Sequence, residues 1–205
     1  MPIYEAPKAK LGTTDPFSEA PKAMIDYCPW ADYPTAPKAY GQVCYTKDAI
    51  LVRLTAFEAD PKITFFKPNE PVYEDSCLEF FINPLPGKDT FCDFECNANG
   101  TLLLGFYNEG DFGFLDPKTR PDFHVKASRA NEDGEACWKV EYTIPASFLE
   151  TTFEGFSFEE GGDIHINFYK CGDKTNVPHY SCWSPILSEK ISFFRSEFFG
   201  TLLRK

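Results

Sequence analysis

Residues 73–84 read Y-E-D-S-C-L-E-F-F-I-N-P, a stretch with the alternation of a β-strand. Successive side chains of a strand point to opposite faces of its sheet. Leu78, Phe80 and Ile82 therefore share an apolar face, whereas Glu79 lies on the other. A carboxylate within such an apolar run indicates that its face of the sheet has a role besides packing.

Residues 91–100 read F-C-D-F-E-C-N-A-N-G and repeat this arrangement. Cys92, Phe94 and Cys96 form an apolar face, and Glu95 belongs to a mixed face that also holds Phe91, Asp93 and Asn97. The two neighbouring strands thus have one apolar face and one face of aromatic and hydrogen-bonding groups. This second face is predicted to bind a polar ligand, such as a sugar.

The composition favours sheet over helix and excludes some partners. The 205 residues include 21 Phe and 10 Tyr but only 2 Met, and aromatic residues suit pleated surfaces.

A net charge of −11 opposes contact with nucleic acid or an anionic membrane. The N-terminus shows no secretory signal pattern, so we expect a cytoplasmic protein.

The distribution of residue types along the chain predicts one domain with an N-terminal extension. Residues 1–38 are rich in proline, which removes a ladder donor, and we interpret them as an irregular N-terminal arm. Residues 39–205 carry short alternating segments separated by turns and little helical periodicity, which predicts a single all-β domain, an antiparallel, jelly-roll-like β-sandwich. Residues 136–144 show the cleanest alternation and place Trp138 in the core.

The eight cysteines lie within strand patterns of a chain longer than the usual disulfide scaffold, so we predict free buried thiols. No paired Cys-x-x-Cys elements occur, and a structural zinc is disfavoured. The sequence predicts no metal-ligating residues and no certain cofactor.

Several ordered segments, covering roughly residues 38–203, together resemble the family 9 carbohydrate-binding modules, particularly their stand-alone relatives. The matching pieces are residues 73–81, residues 94–100, residues 166–170, S-C-W-S-P at 181–185 and F-F-G-T-L at 198–202. The resemblance implies a β-sandwich that binds a mono- or oligosaccharide without cleaving it, in the service of carbohydrate catabolism. Some family members also bind calcium, so a structural calcium ion is possible here.

The resemblance also implies which residues bind the sugar. Tyr73 and Trp183 match the two aromatic positions that hold the ring, although Tyr73 replaces a Trp and Glu95 replaces an Arg of characterised modules. The polar groups expected to bond the hydroxyls are Glu79, Glu95, Asn97, Asn167 and Lys170. No catalytic residue is implied.

Each assignment has a plainer alternative. Trp183 could close an edge of the sandwich, and Lys170 could be a solvent-exposed charge at a strand end. Glu79 and Glu95 could pair with Lys170 or Arg53, or could be the acid and nucleophile of an O-glycosyl hydrolase. A third class is a ligand-free intracellular interaction protein that keeps the sandwich.

Overall fold

The computed structural model describes residues 1–10, 12–159 and 162–205. Within these ranges nearly all regular structure is β. The strands are β1 (Ile3–Ala6), β2 (Ala23–Met24), β3 (Ala39–Tyr45), β4 (Ala49–Ala56), β5 (Cys77–Asn83), β6 (Thr90–Asn97), β7 (Leu102–Asn108), β8 (Asp111–Phe114), β9 (Lys126–Glu132), β10 (Glu135–Pro145), β11 (Ile164–Cys171), β12 (Tyr180–Cys182) and β13 (Gly200–Arg204). One α-helix, α1 (Ala146–Thr152), and two 3₁₀ turns, Val72–Glu74 and Ser196–Phe198, complete the described elements.

The strands form two sheets. The larger has the order β1-β13-β11-β5-β6-β7-β8, with β12 paired to β11, and the smaller has the order β2-β3-β4-β10-β9. Every named pairing is antiparallel except that of β1 with β13. The predicted all-β sandwich is confirmed.

The core lies between the two sheets and follows the predicted alternation. Leu78, Phe80 and Ile82 of β5 and Phe94 of β6 are fully buried in it, and Trp138 of β10 packs there from the smaller sheet. Burying a large apolar side chain contributes about 2 kcal/mol, so this shared face is the main stabilising surface of the fold.

The outer face of the larger sheet is covered as well, by segments outside its central strands. Phe81, Phe91 and Tyr169 form a second buried cluster there with Trp30 and Phe193. The inner face of the sheet is therefore buried in the core, and aromatic side chains cover part of its outer face.

The first 38 residues hold two short strands between irregular stretches. β1 pairs with β13 of the larger sheet, and β2 pairs with β3 of the smaller sheet. This segment therefore contacts both layers of the sandwich. Trp30 follows these strands, and its indole Nε1 donates a hydrogen bond of 3.0 Å to Ser188 O, 158 positions away in the chain.

The eight cysteines are free, and all but Cys28 are buried. No helix in the described ranges has the length and apolar character needed to cross a membrane.

Candidate functional site

A cleft of about 360 Å³ opens on the outer face of the larger sheet. Its floor is formed by side chains of four adjacent strands: Cys171 on β11, Glu79 on β5, Glu95 on β6 and Leu103 on β7. Glu79 lies directly opposite Glu95 in the strand register, and Glu95 lies opposite Leu103. The mixed face predicted from alternation is thus the floor of a cleft.

The walls of the cleft are mainly aromatic. Seven aromatic side chains line it, namely Trp30, Tyr73, Phe112, Phe114, Tyr180, Phe193 and Phe194. Trp30 stacks on Phe193 with ring centroids 5.6 Å apart, and Tyr180 meets Trp30 edge-on at the same distance. By contrast, Tyr73, Phe112 and Phe114 are 36%, 43% and 53% exposed. Some of the lining rings are therefore packed against one another, whereas Tyr73, Phe112 and Phe114 keep exposed ring surface.

Glu79 is almost completely buried at the bottom of the cleft. The Cys171 thiol donates a hydrogen bond of 2.8 Å to Glu79 Oε1. Burial raises the pKa of Glu79 well above its ordinary value, because removal from water disfavours the charged carboxylate.

Glu95 is 5% exposed, and its neighbour on the same face, Asp93, is fully buried. Glu95 Oε2 and both carboxyl oxygens of Asp93 are buried without a well-aligned donor among the described residues, and the two carboxyl groups lie against each other. Burial and then the nearby Glu79 raise the pKa of Glu95 well above its ordinary value, and burial raises the pKa of Asp93 to about 7. The floor therefore keeps protons at a pH at which exposed carboxyl groups are ionised.

Asp173 and Tyr180 add a further polar pair to the lining of the cleft. The Tyr180 hydroxyl and the Asp173 carboxyl group are hydrogen-bonded, and burial raises the pKa of both groups. Together with Glu79 and Glu95, Asp173 brings the carboxyl groups of the cleft lining to three.

One group of side chains in the floor could hold a metal ion. The ligand atoms of Cys77, Glu79 and Cys171 lie within 4.8 Å of one another, and all three residues are buried. Two thiols with one carboxylate suit zinc rather than calcium, which prefers oxygen ligands. This group does not locate the structural calcium ion that the family resemblance allows.

The structure brings Tyr73, Glu79 and Glu95 of the predicted binding residues to the cleft. Asn97 points to the same face of β6 but is fully engaged in the fold. Its Nδ2 donates to Phe65 O at 2.8 Å and to Asp75 Oδ2 at 3.0 Å, and its Oδ1 accepts two backbone N–H bonds. An amide has about four hydrogen-bonding positions, so Asn97 has none left for a ligand.

Asn167 is also buried, and it holds the chain segment after β12. Its Nδ2 donates to Ser184 O at 3.0 Å, and its Oδ1 accepts from the backbone N–H groups of Phe168 and Ser184. The residue thus fixes the loop of the S-C-W-S-P motif and does not line the cleft.

Trp183 lies outside the cleft lining and packs against the inner core. Its ring meets Phe168 edge-on at 5.6 Å and Tyr4 at 6.3 Å. The reason is the alternation along β12, which continues into Trp183: Tyr180 points to the cleft, so Trp183, three positions later, points to the opposite face. Tyr73 and Trp183 therefore do not face each other across this cleft.

Lys170 is not the solvent-exposed charge of the plainer alternative, because it is completely buried. It lies opposite Leu78 in the register and so points to the inner face. Its Nζ donates to Cys171 O at 2.9 Å, and it lies 2.7 Å from His179 Nε2 and 3.3 Å from Glu58 Oε2.

The alternative ion pairs of Glu79 and Glu95 are also excluded by these contacts. The carboxylate partner of Lys170 is Glu58, and Arg53 contacts Asp15 and Glu141.

Sequence reasoning missed most of the aromatic wall. Phe112 and Phe114 could have been found, because they alternate along β8 and so share a face. Tyr180 could have been found only by recognising the three-residue strand β12. Trp30 and Phe193 reach the cleft through long-range packing, for which the local sequence carries no signal.

Comparisons with known proteins agree with this architecture. The sequence profile of carbohydrate-binding family 9 matches residues 15–203. A candidate carbohydrate-binding protein from Bacteroides uniformis ATCC 8492 has a similar structure, with a TM-score of 0.83, 29% sequence identity and 99% of each chain covered. A search of curated proteins gave no match.

Two structures of a family 9 carbohydrate-binding module from Caldicellulosiruptor kristjanssonii share the fold. The complex with cellotriose has a TM-score of 0.62 at 11% identity and covers 100% of this chain and 94% of that chain. The complex with glucose has a TM-score of 0.61 at 10% identity and covers 100% and 96%.

The fold and the profile define a carbohydrate-binding β-sandwich. The chain belongs to carbohydrate-binding family 9.

Proposed function

We propose that this chain binds a mono- or oligosaccharide in the cleft above Glu79 and Glu95. The observation that supports this site most is the combination of uncovered aromatic rings with buried carboxyl groups in one concave surface. Sugars present apolar C–H faces and hydroxyl edges, so they need ring surface and hydrogen-bonding groups at the same place.

The exposed wall supplies the stacking surface in this proposal. Tyr73 and Phe112 offer ring faces to the sugar, and Tyr180 also lines the cleft. The carboxyl groups of Glu79, Glu95 and Asp173 bond its hydroxyls. Each aromatic face and each neutral hydrogen bond contributes about 1 kcal/mol, so we expect micromolar to millimolar dissociation constants.

Binding is favoured over hydrolysis by the electrostatics of the floor. A glycosidase needs one protonated and one ionised carboxyl group beside the scissile bond. Here the pKa values of Glu79 and Glu95 both move upward, and no cationic side chain lines the described cleft to keep one of them ionised. A non-catalytic role in carbohydrate catabolism fits this arrangement.

Calorimetric titration with glucose and with cellotriose tests the proposal, since these sugars are bound in the two structures of the family 9 module. Replacing Tyr73→Ala should weaken binding about fivefold, the equivalent of about 1 kcal/mol. Tyr27→Ala is the matched control, because Tyr27 has nearly the same exposed fraction, 37%, and does not line the cleft.

Two results would contradict the proposal. Absence of heat with a panel of neutral and charged sugars at millimolar concentration would favour the ligand-free interaction protein. Binding that survives both Tyr73→Ala and Phe112→Ala unchanged would place the sugar elsewhere on the chain.

A further inference from the structure

The lining of the cleft carries carboxyl groups without a basic counterpart. Glu79, Glu95 and Asp173 line it, whereas none of its described lining residues is Lys, Arg or His. The buried ammonium of Lys170 lies on the inner face of the sheet, against Glu58 and His179. The acidity of the cleft is therefore not balanced by the protein around it.

One carboxyl oxygen in this lining meets no well-aligned N–H or hydroxyl donor among the described residues, namely Glu95 Oε2, which lies beside the carboxyl group of Asp93. Glu95 is 95% buried and lines the cleft directly opposite Glu79. A buried acceptor without a donor destabilises the folded protein, and more so when it is charged. A ligand that donates hydrogen bonds and carries positive charge would remove that cost.

The aromatic walls favour the same kind of ligand. A cation over an aromatic face is attracted by the ring quadrupole, and rings together with carboxylates form the usual binding surface for organic ammonium groups. Tyr73, Phe112 and Phe114 leave such ring surface uncovered beside the carboxyl groups. Inorganic cations gain little from these rings, so the walls favour an organic cation.

We propose that the preferred ligand is a sugar that carries a protonated amino group, and that this ammonium group binds between Glu79 and Glu95. The inference rests on the proposed function of the cleft and specifies its ligand class. The ammonium supplies three N–H donors, of which one reaches Glu95 Oε2 and a second reaches Glu79, while the pyranose ring lies against the aromatic wall.

The test compares glucosamine with glucose and with N-acetylglucosamine, whose nitrogen is not basic. Titrations are made in the presence of a chelator, to exclude metal bridging, at low salt and at about pH 6.5, where an amino group is protonated. Glucosamine should bind about tenfold tighter than glucose, as expected for one charge-assisted hydrogen bond. High salt should reduce the difference.

Glu95→Gln should abolish this preference, so that glucosamine and glucose bind the variant with the same affinity, because Gln keeps the size of the side chain and loses its charge. Glu79→Gln gives a second variant in case the first is poorly folded. Glu135→Gln is the matched control, because Glu135 has 59% side-chain exposure and lies on the smaller sheet.

The outcomes separate the two proposals. Glucose bound as tightly as glucosamine would overturn the amino-sugar inference and leave carbohydrate binding intact. A preference that persists in both Gln variants would also overturn it. Failure of every sugar to bind would overturn both.

Discussion

Glu79 and Glu95 lie directly opposite each other on β5 and β6, with both carboxyl groups in the floor of the cleft. Such a like-charged cross-strand pair is unfavourable when both members are ionised. Burial raises the pKa values of both residues, and the nearby Glu79 adds to the rise for Glu95. The sandwich therefore carries a pH-dependent cost at the proposed ligand site.

This cost predicts how stability changes with pH. A carboxyl group with a raised folded-state pKa contributes stability that is complete below its unfolded pKa, ordinarily 4.5 for Glu, and is lost as the pH rises through the folded value. For Asp93 that value is about 7. Urea unfolding should therefore give a lower free energy of unfolding at about pH 8 than at about pH 5.

Other carboxyl groups set the acid limit of this profile. Burial opposes ionisation of Glu132, but hydrogen bonds from Lys22, Tyr40 and Lys139 prevail and lower its pKa to about 2. Its contribution is present above its unfolded pKa and is lost as the pH falls towards 2.

Glu95→Gln should flatten only the alkaline side of the profile of unfolding free energy against pH. A parallel shift of the whole curve would contradict the assignment.

A second prediction concerns Gly105, whose missing side chain leaves space for both Asp93 and Phe112. A Cβ atom there would lie 2.2 Å from Asp93 Oδ1 and 2.5 Å from Phe112 Cε2. Gly105→Ala should cost about 1–3 kcal/mol of stability through overpacking and should weaken sugar binding by displacing Phe112. Thermal unfolding and calorimetry measure the two effects.

The matched control for this substitution is Gly113→Ala in β8, where no described atom lies within 4 Å of the added Cβ. We expect a change within about 0.5 kcal/mol and unaltered affinity. Equal effects of the two substitutions would show that the close contact at Gly105 is unimportant.

Trp183 predicts a separation of stability from binding. Because its ring packs against Phe168 and Tyr4, Trp183→Ala should destabilise the fold by about 3 kcal/mol. Affinity for glucose should stay within about twofold at a temperature where the variant is folded. Loss of binding in the folded variant would restore Trp183 as a ligand-stacking residue.

Replacement of Lys170 should lower the free energy of unfolding strongly, although this residue lies outside the proposed ligand site. Glu58 Oε2 lies 3.3 Å from Lys170 Nζ and accepts a bond of 2.9 Å from Trp138 Nε1. Lys170→Met leaves the Glu58 carboxylate without its cation, which should cost about 3 kcal/mol in urea unfolding.

Lys174→Met is the control for the loss of a lysine charge. Its ammonium pairs with Glu74 at 2.7 Å, but the Lys174 side chain is 66% exposed, so we expect a much smaller change in urea unfolding than for Lys170→Met. Similar costs for the two lysines would argue against a special role of the buried contact.

Much of this molecule was predictable from local pattern. Alternation alone separated Phe80 and Phe94, which face the core, from Glu79 and Glu95, which face the cleft. The strand around Trp138 was predictable for the same reason. The period of a strand is short-range physics, set by each residue and its immediate neighbours.

The assignment of roles was less predictable where side chains meet through distant contacts. Asn97 and Asn167 have the chemistry of sugar ligands, but their hydrogen bonds are used by the loops that contain Phe65 and Ser184. An amide looks the same in sequence whether it binds a ligand or a loop. Only the positions of its partners decide.

By itself, the sequence determined the class of fold, the two faces of β5 and β6 and the acidic character of one of them. The tertiary structure alone decided which aromatic rings stand over that face: it brought Trp30 and Phe193 to the cleft and turned Trp183 away from it. The physical reason is that alternation follows from the geometry of a single chain segment, whereas a cleft is made by packing between segments far apart in the chain.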